Sequence, residues 1–341
     1  MTLQERINAF VALGDKLRTL DGDTKAALTQ RANDDNGWFD DLSVSNALTG
    51  IEKMLSKEVL ENWVNDYSSS DTEKPNKVLV VMAGNIPAVG FHDALSILIS
   101  GHILMAKLSS QDTFLMTTLF NWLKEIEPKF NDFIEILDAP VKEIDKVIAT
   151  GSDNSTRYFI KYFSKYPNII RHNRSSVAVI RGDEDEETLA KLADDIFLYY
   201  GLGCRNISKV YAPKDYDLTK LLKALEPRAK ETIINHKYAN NYDYNKSIYL
   251  VNKVEHLDNG GLIFTESEEM VSPISVLYYE TYENGLELKA KLSDAEDKIQ
   301  CVVTDGQWLA GSEDFGQAQF PSVSTYADNV DTMEFLSPVV K

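Results

Sequence analysis

Over residues 1 to about 66 the apolar positions recur at helical spacing, as in Ile7, Phe10, Leu13, Leu17 and Leu20. That period predicts a helical N-terminal extension. The run Ser68-Ser69-Ser70-Asp71 through Pro75-Asn76 has the composition of a linker. Beyond it the pattern changes to short continuous apolar runs separated by amphipathic stretches. Strands are predicted over 78–82, 103–107, 133–137, 146–150, 168–171 and 177–181, with helices over 88–99, 113–126 and 151–163. Such alternation means a parallel sheet covered on both faces. The second half repeats the class. Helix 186–200, strand 207–212 and helix 216–229 are followed by strands near 247–251, 261–264 and 274–279, then helix 283–293 and strand 299–304. The last stretch, 320–341, carries scattered apolar residues (Val323, Tyr326, Val330, Met333, Phe335) and is expected to pack as a strand or arm. The predicted class is α/β, with two parallel-sheet Rossmann-type domains behind the helical extension.

A chain of 341 residues can bury two such cores, and 43% hydrophobic with 26% charged residues is ordinary for a folded protein. The net charge of −18 argues against a general nucleic-acid binder, which needs a basic face. An anionic ligand would have to be received by a local basic patch against that field. The longest apolar run, 94–105, is broken by Ser96, Ser100, Gly101 and His102, so no membrane span is expected. The N-terminus lacks the basic-then-apolar order of a signal peptide. With only two cysteines, this points to a reducing cytoplasm.

Those cysteines, Cys204 and Cys301, form neither a disulfide framework nor a metal knuckle, and the five histidines have no metal-ligand spacing, so no metal is expected. Cys301 lies in the ordinary buried-strand run Ile299-Gln300-Cys301-Val302-Val303. Cys204 stands instead in the glycine-framed turn Tyr200-Gly201-Leu202-Gly203-Cys204-Arg205-Asn206. A thiol on such a helix-to-strand connection can be approached by a reacting molecule. Gly201-Leu202-Gly203 resembles half a dinucleotide fingerprint but follows a helix and precedes a strand, which is the wrong order.

Four segments, taken together, are specific, three of them at strand ends. They are Met82-Ala83-Gly84-Asn85-Ile86-Pro87, Lys107-Leu108-Ser109-Ser110-Gln111-Asp112, Ala149-Thr150-Gly151-Ser152, and the Cys204 turn. In this order and spacing they resemble the aldehyde dehydrogenase superfamily. Glu268-Glu269-Met270-Val271-Ser272-Pro273 adds a fifth match, with Val-Ser in place of Phe-Gly. Singly, Asn-x-Pro is commonly a turn, Gly-Ser a helix cap and Glu-Glu a solvated face. Five in order over residues 77 to 280 are specific. The resemblance implies Cys204 as nucleophile and Asn85 as oxyanion donor. It also implies cofactor contacts from Lys107, Ser109, Ser110, Gly151, Ser152 and Glu269. A helix N-terminus at Gly151-Ser152 would receive phosphate, and a neutral amide would stabilise the oxyanion formed when a thiolate attacks a carbonyl.

The Gly84-Asn85-Ile86-Pro87 and Lys107-Leu108-Ser109-Ser110 segments, with Phe315-Gly316-Gln317-Ala318-Gln319-Phe320-Pro321, are most similar to the long-chain fatty acyl-CoA reductases of the LuxC family. That family implies reduction of a fatty acyl-CoA to an aldehyde with NADPH. The implied domains are a helical extension over 1–74, an NADP-binding domain over 75–181 and a catalytic domain over 182–310. A C-terminal arm over 311–341 would return to the cofactor domain or to a partner subunit. A homo-oligomer and an acyl-protein synthetase partner stay open. Two positions agree with the reading. Arg171-His172-Asn173-Arg174 stands where ordinary aldehyde dehydrogenases carry the Glu that activates water. Ser110 stands where NAD-preferring relatives often place a Glu. Arg157, Lys161 and Lys165, with Arg171 and Arg174 after them, form a basic run that is either a solvated helix face or a phosphate-capturing patch. Arg205 and His172 are candidates for the group that lowers the thiol pKa. Alternatives are another enzyme of this fold acting on an aldehyde or a small acyl phosphate, and a non-catalytic binding subunit.

Overall fold

The computed structural model describes residues 1–67, 74–139 and 143–337. Most of the expected linker, residues 68–73, and the last four residues of the chain lie outside them. Two compact units emerge, residues 1–173 with 321–341, and residues 174–320.

The first unit opens with four helices, α1 (Leu3–Arg18), α2 (Gly22–Asp35), α3 (Asp41–Met54) and α4 (Lys57–Asn65). Each starts where the sequence supplies an acceptor for its orphan N–H groups: Thr2, Asp21, Asp40 and Ser56 cap them in turn. Then come β1 (Lys77–Val81), α5 (Phe91–Ile99), β2 (Ile103–Lys107), α6 (Thr113–Ile126), β3 (Ile134–Ile136), β4 (Lys146–Thr150), α7 (Asp153–Phe163) and β5 (Asn168–Arg171). The strands form an all-parallel sheet in the order β3-β2-β1-β4-β5. Adjacent residues of β1 serve opposite faces. Val78 and Val80 join the large core with α1, α5 and α6, while Leu79 packs with Met105, Val147 and Phe159 of α7. The N-terminal helices share that large core: Ile7, Phe10, Leu13 and Leu17 are buried in it. The buried Arg6 donates to the Ile99 carbonyl at the end of α5 at 2.9 Å. They are one folded piece with the sheet, not an appendage.

The second unit holds β6 (Ser175–Val179), α8 (Glu186–Phe197), β7 (Ile207–Pro213), α9 (Leu218–Thr232), α10 (His236–Asn252), β8 (Leu257–Asp258), β9 (Ile263–Glu266), β10 (Val276–Tyr282), α11 (Gly285–Asp294), β11 (Ile299–Thr304) and β12 (Glu313–Asp314). Their order is β12-β11-β6-β7-β10-β9-β8, parallel except for the β8–β9 pair.

Three expectations change. Residues 247–251 are helical, inside α10, because Tyr238, Tyr242 and Asn245 turn inward at helical spacing. The strand over 177–181 belongs to the second sheet, as β6 between β7 and β11, so the boundary falls after Asn173 and not after Arg181. The C-terminal segment forms no strand among its described residues. Val323, Tyr326, Met333 and Leu336, the last two on α12 (Thr332–Leu336), are buried in the first unit's own core. The Trp63 indole N–H donates to the Tyr326 hydroxyl at 2.7 Å, and Lys146 Nζ donates to the Phe335 carbonyl at 2.5 Å. The segment starts at Pro321, since residues 311–320 stay with the second unit.

Candidate active site

The first unit brings three of the expected motifs to neighbouring strand ends. Asn85, the Lys107–Ser110 turn and Gly151-Ser152 follow β1, β2 and β4, and β1 pairs with both of the others. The chain reverses its direction of growth between β1 and β4, and a parallel sheet binds ligands outside its carboxyl ends at such a switch point. Gly84 lies flat on the turn after β2. A Cβ there would stand 2.5 Å from Ser109 Oγ and 2.6 Å from Ser109 Cβ, so only glycine fits. Beyond the half-buried Asn85 the backbone bends through Ala88 at φ +53°, and the Ala88 N–H donates to Asp112 Oδ2 at 2.7 Å. Lys107 is exposed, its Nζ 3.4 Å from the Leu137 carbonyl. Ser110 is exposed and Ser109 half-buried. Ser152 caps α7, its hydroxyl accepting from the Ser155 N–H at 3.4 Å.

The second unit presents the cysteine on a strained turn. Tyr199, Tyr200 and Gly201 are all left-handed, at φ +56°, +59° and +76°. Two bulky residues in that region are held only where their surroundings impose it. Asn206 imposes it here. Its Nδ2 donates to the carbonyls of Asp195 (3.1 Å), Ile196 (3.4 Å) and Leu198 (2.7 Å), and its Oδ1 accepts from the Gly203 N–H at 2.8 Å. Ser176 Oγ on β6 donates to the Cys204 carbonyl at 3.0 Å. Cys204 itself is half-buried. A chain of hydrogen bonds then runs from the Asn206 carbonyl to Ser175 (3.3 Å), Ser208 (2.5 Å) and the Met270 carbonyl (2.5 Å). It ties the cysteine turn to the loop bearing the exposed Glu269.

The two thiols differ in setting. Burial pushes the Cys301 thiol up to about 12, so it is no nucleophile at neutral pH. Arg205 is fixed by Ala318 O and by Glu313. Burial alone would pull its guanidinium down, but Cys301, Glu313 and Cys204 around it raise it, so it stays a cation beside the Cys204 turn. The Phe315–Phe320 motif is anchored to the same place: Asp195, at the end of α8, accepts from the Gly316 N–H at 2.6 Å and the Ala318 N–H at 2.9 Å. Burial pushes the Asp195 carboxyl up to about 7.

The family model of acyl-CoA reductase (LuxC) matches residues 40–225, more than half of the chain, and takes in Asn85, Lys107, Gly151 and Cys204. The chain belongs to the LuxC acyl-CoA reductase family. It is 24% identical over 217 residues to the long-chain acyl-protein thioester reductase of Aliivibrio fischeri, a match covering 58% of this chain and 45% of that protein. The chain thus spans less than half the length of this curated relative. Solved structures show the same fold at low identity. Aldehyde dehydrogenase 21 of Physcomitrella patens, in complex with succinate, superposes with a TM-score of 0.71 at 12% identity over 98% of this chain and 84% of that one. Betaine aldehyde dehydrogenase of Staphylococcus aureus, in complex with NAD⁺, superposes with a TM-score of 0.65 at 14% identity over 94% and 72%. This LuxC-family chain therefore has the aldehyde-dehydrogenase-like fold expected from its motifs.

Some neighbours of the motifs were not singled out in the sequence. Asp112, Asp195, Asn206 and Ser176 hold the motif loops in place; Asp112 and Asn206 each close a quoted motif, while Asp195 and Ser176 lie outside the quoted segments. Arg171 is corrected from a member of the basic run to a buried residue. Its guanidinium grips Asp93 of α5 through two bonds of 2.5 and 2.6 Å, within the first unit. Arg157 and Lys161 are exposed on α7, Lys165 is exposed in the turn after it, and His172 is exposed, its N–H on Asp328. Among the described residues no cluster of His, Cys, Asp or Glu could hold a metal, and no helix is long and apolar enough to cross a membrane.

Proposed function

We propose that this chain reduces a fatty acyl thioester to an aldehyde through an acyl-Cys204 intermediate, with NADPH as reductant. What carries the reading is the half-buried Cys204 on a strained, Asn206-clamped turn, in a chain of the LuxC family. The Cys204 thiolate attacks the thioester carbonyl carbon, forming a new C–S bond. The Asn85 amide and the Cys204 N–H donate to the oxyanion, and collapse expels the substrate's thiolate. Arg205, a fixed cation next in sequence, favours the thiolate form of Cys204. NADPH, when bound, supplies the hydride that turns the acyl thioester into a hemithioacetal. Breaking its C–S bond releases aldehyde and returns Cys204.

The first unit's residues fit that cofactor. The α7 N-terminus at Gly151-Ser152 suits a pyrophosphate. Lys107 suits a ribose hydroxyl. The exposed Ser110 leaves room for a 2′-phosphate that a carboxylate would repel. Glu269 is the candidate for the nicotinamide ribose. The family's description names acyl-CoA, and the name of the Aliivibrio fischeri relative names an acyl-protein. The acyl donor is therefore acyl-CoA or an acylated partner protein, such as an acyl-protein synthetase.

The test is product analysis with the purified chain. NADPH and a series of acyl-CoA lengths should give aldehyde with stoichiometric NADPH oxidation. Aldehyde and NADP⁺ without CoA should give little free acid, because no carboxylate of the expected kind stands in the 171–174 stretch to activate water, help usually worth about 10²–10⁴ in rate. Rapid multiple-turnover acid release would make this an ordinary dehydrogenase.

A further inference from the structure

Asp112 lies just past the Lys107–Ser110 turn and is 3% exposed. Its Oδ2 accepts the Ala88 N–H at 2.7 Å, while its buried Oδ1 has no hydrogen-bond partner. Burying a carboxyl for a single hydrogen bond is unfavourable, and a neutral apolar residue would fill the space at less cost. The bond it makes is on a residue that needs holding, since Ala88 is a left-handed alanine three positions after Asn85. The two turns also interlock on their other side. Gly84, the residue before Asn85, packs on Ser109 and comes within 3.2 Å of Asp112 Cβ for a built Cβ. Ser109 closes its own turn by accepting from the Asp112 N–H at 3.1 Å and the Thr113 hydroxyl at 2.9 Å. Asn85 thus sits on a backbone pinned before it by Gly84 and after it by Ala88, both against the same 109–112 turn.

We propose that Asp112 is the positioning residue for Asn85, fixing through the Ala88 N–H the direction in which the Asn85 amide is presented. The assignment rests on Asn85 being the oxyanion donor. Asp112 touches no reacting atom and acts only through the turn. Burial pushes its carboxyl up to about 7. A proton taken up on the unpartnered Oδ1 leaves Oδ2 free to accept, so the hold survives protonation, and an asparagine carbonyl can replace it.

The experiment is single-turnover acylation of Cys204 by acyl-CoA without NADPH, with NADPH affinity measured in parallel. The variants are Asn85→Ala, Asp112→Ala, the double variant and Asp112→Asn. Asn85→Ala should slow acylation about 10²–10³-fold. Asp112→Ala should slow it about 10–100-fold, the scale of a donor displaced by roughly an ångström, with NADPH affinity within about threefold. In the Asn85→Ala background, Asp112→Ala should slow it no further, because both changes remove one interaction. Asp112→Asn should recover acylation to within about threefold of the parent. Multiplying effects in the double variant, a parent-like Asp112→Ala, or a folded Asp112→Asn slowed more than tenfold would each overturn the role of Asp112 while leaving Asn85 in place. Parent-like acylation by Asn85→Ala would instead remove the oxyanion assignment, and this proposal with it. Should Asp112→Ala not fold, the Asp112→Asn rate decides.

Discussion

The turn carrying Asn85 and the turn carrying Cys204 are both irregular backbone with left-handed non-glycine residues, yet they are held by opposite means. The Asn85 turn relies on close approach. Gly84 lies against Ser109, and a single N–H bond at Ala88 completes the hold. The Cys204 turn relies on polar side chains. Asn206 makes four hydrogen bonds to backbone around it, and Asp195 takes two N–H groups from the neighbouring Phe315–Phe320 motif. One turn is therefore vulnerable to added volume and the other to lost hydrogen-bonding atoms.

The strongest way to break that contrast is Asn206→Ala. It strands the Gly203 N–H and part of the bonding of three carbonyls in a buried place, at about 1–3 kcal/mol for each group left unsatisfied. Denaturant unfolding should show a loss of about 3–5 kcal/mol, and acylation of Cys204 should fall with it. A loss below about 1 kcal/mol would mean that the left-handed run Tyr199-Tyr200-Gly201 holds itself.

Next in size is Gly84→Ala, where a methyl must displace Ser109. Overpacking of this kind costs about 1–3 kcal/mol, and Ser109→Gly in the same chain should restore most of it. Failure of the second change to help would show that close approach to Ser109 is not what selects glycine.

The two buried aspartates sharpen the comparison. Asp112 accepts one N–H, so an Asn carbonyl can take over. Asp195 accepts one N–H on each oxygen, so Asn would turn an NH₂ group toward a backbone donor. Asp195→Asn should cost about 1–3 kcal/mol, and Asp112→Asn should be neutral or stabilising at pH 8. Both carboxyls are raised by burial from 3.8 to about 7, so the folded state keeps protons that the unfolded state releases. Their contribution is fully present below about pH 4 and is lost as pH rises through about 7. Melting temperature against pH should therefore fall less steeply between pH 5 and 8 in Asp112→Asn than in the parent. An unchanged slope would remove Asp112 from that balance.

Local pattern made much of this molecule legible. The alternation of short apolar runs with helices is the fold, and the strand-end motifs fall where strands end in the structure. The turn that supplies Cys204 follows a helix and precedes a strand, as Gly201 and Gly203 suggest. What was not legible depends on partners distant in sequence. Ser247-Ile248-Tyr249-Leu250-Val251 has the composition of a strand, and only the inward period of Tyr238, Tyr242 and Asn245 makes it helix. Arg171 reads as a surface charge until Asp93, 78 positions earlier, is found against it. Asp112 and Asp195 look like ordinary polar loop and helix residues. Their meaning lies in the backbone N–H groups of Ala88, Gly316 and Ala318, which no composition reveals.

The central claim is that Cys204 carries the acyl group, and intact-protein mass measured after mixing the chain with a long-chain acyl-CoA in the absence of NADPH tests it most directly. One acyl group should appear per chain, mapped to Cys204 by peptide analysis, and should leave as aldehyde when NADPH is added. Cys204→Ala should take up none, while Cys301→Ala should be acylated like the parent, its thiol being held protonated by burial. Acylation that persists in Cys204→Ala, or that maps to Cys301, would contradict the account.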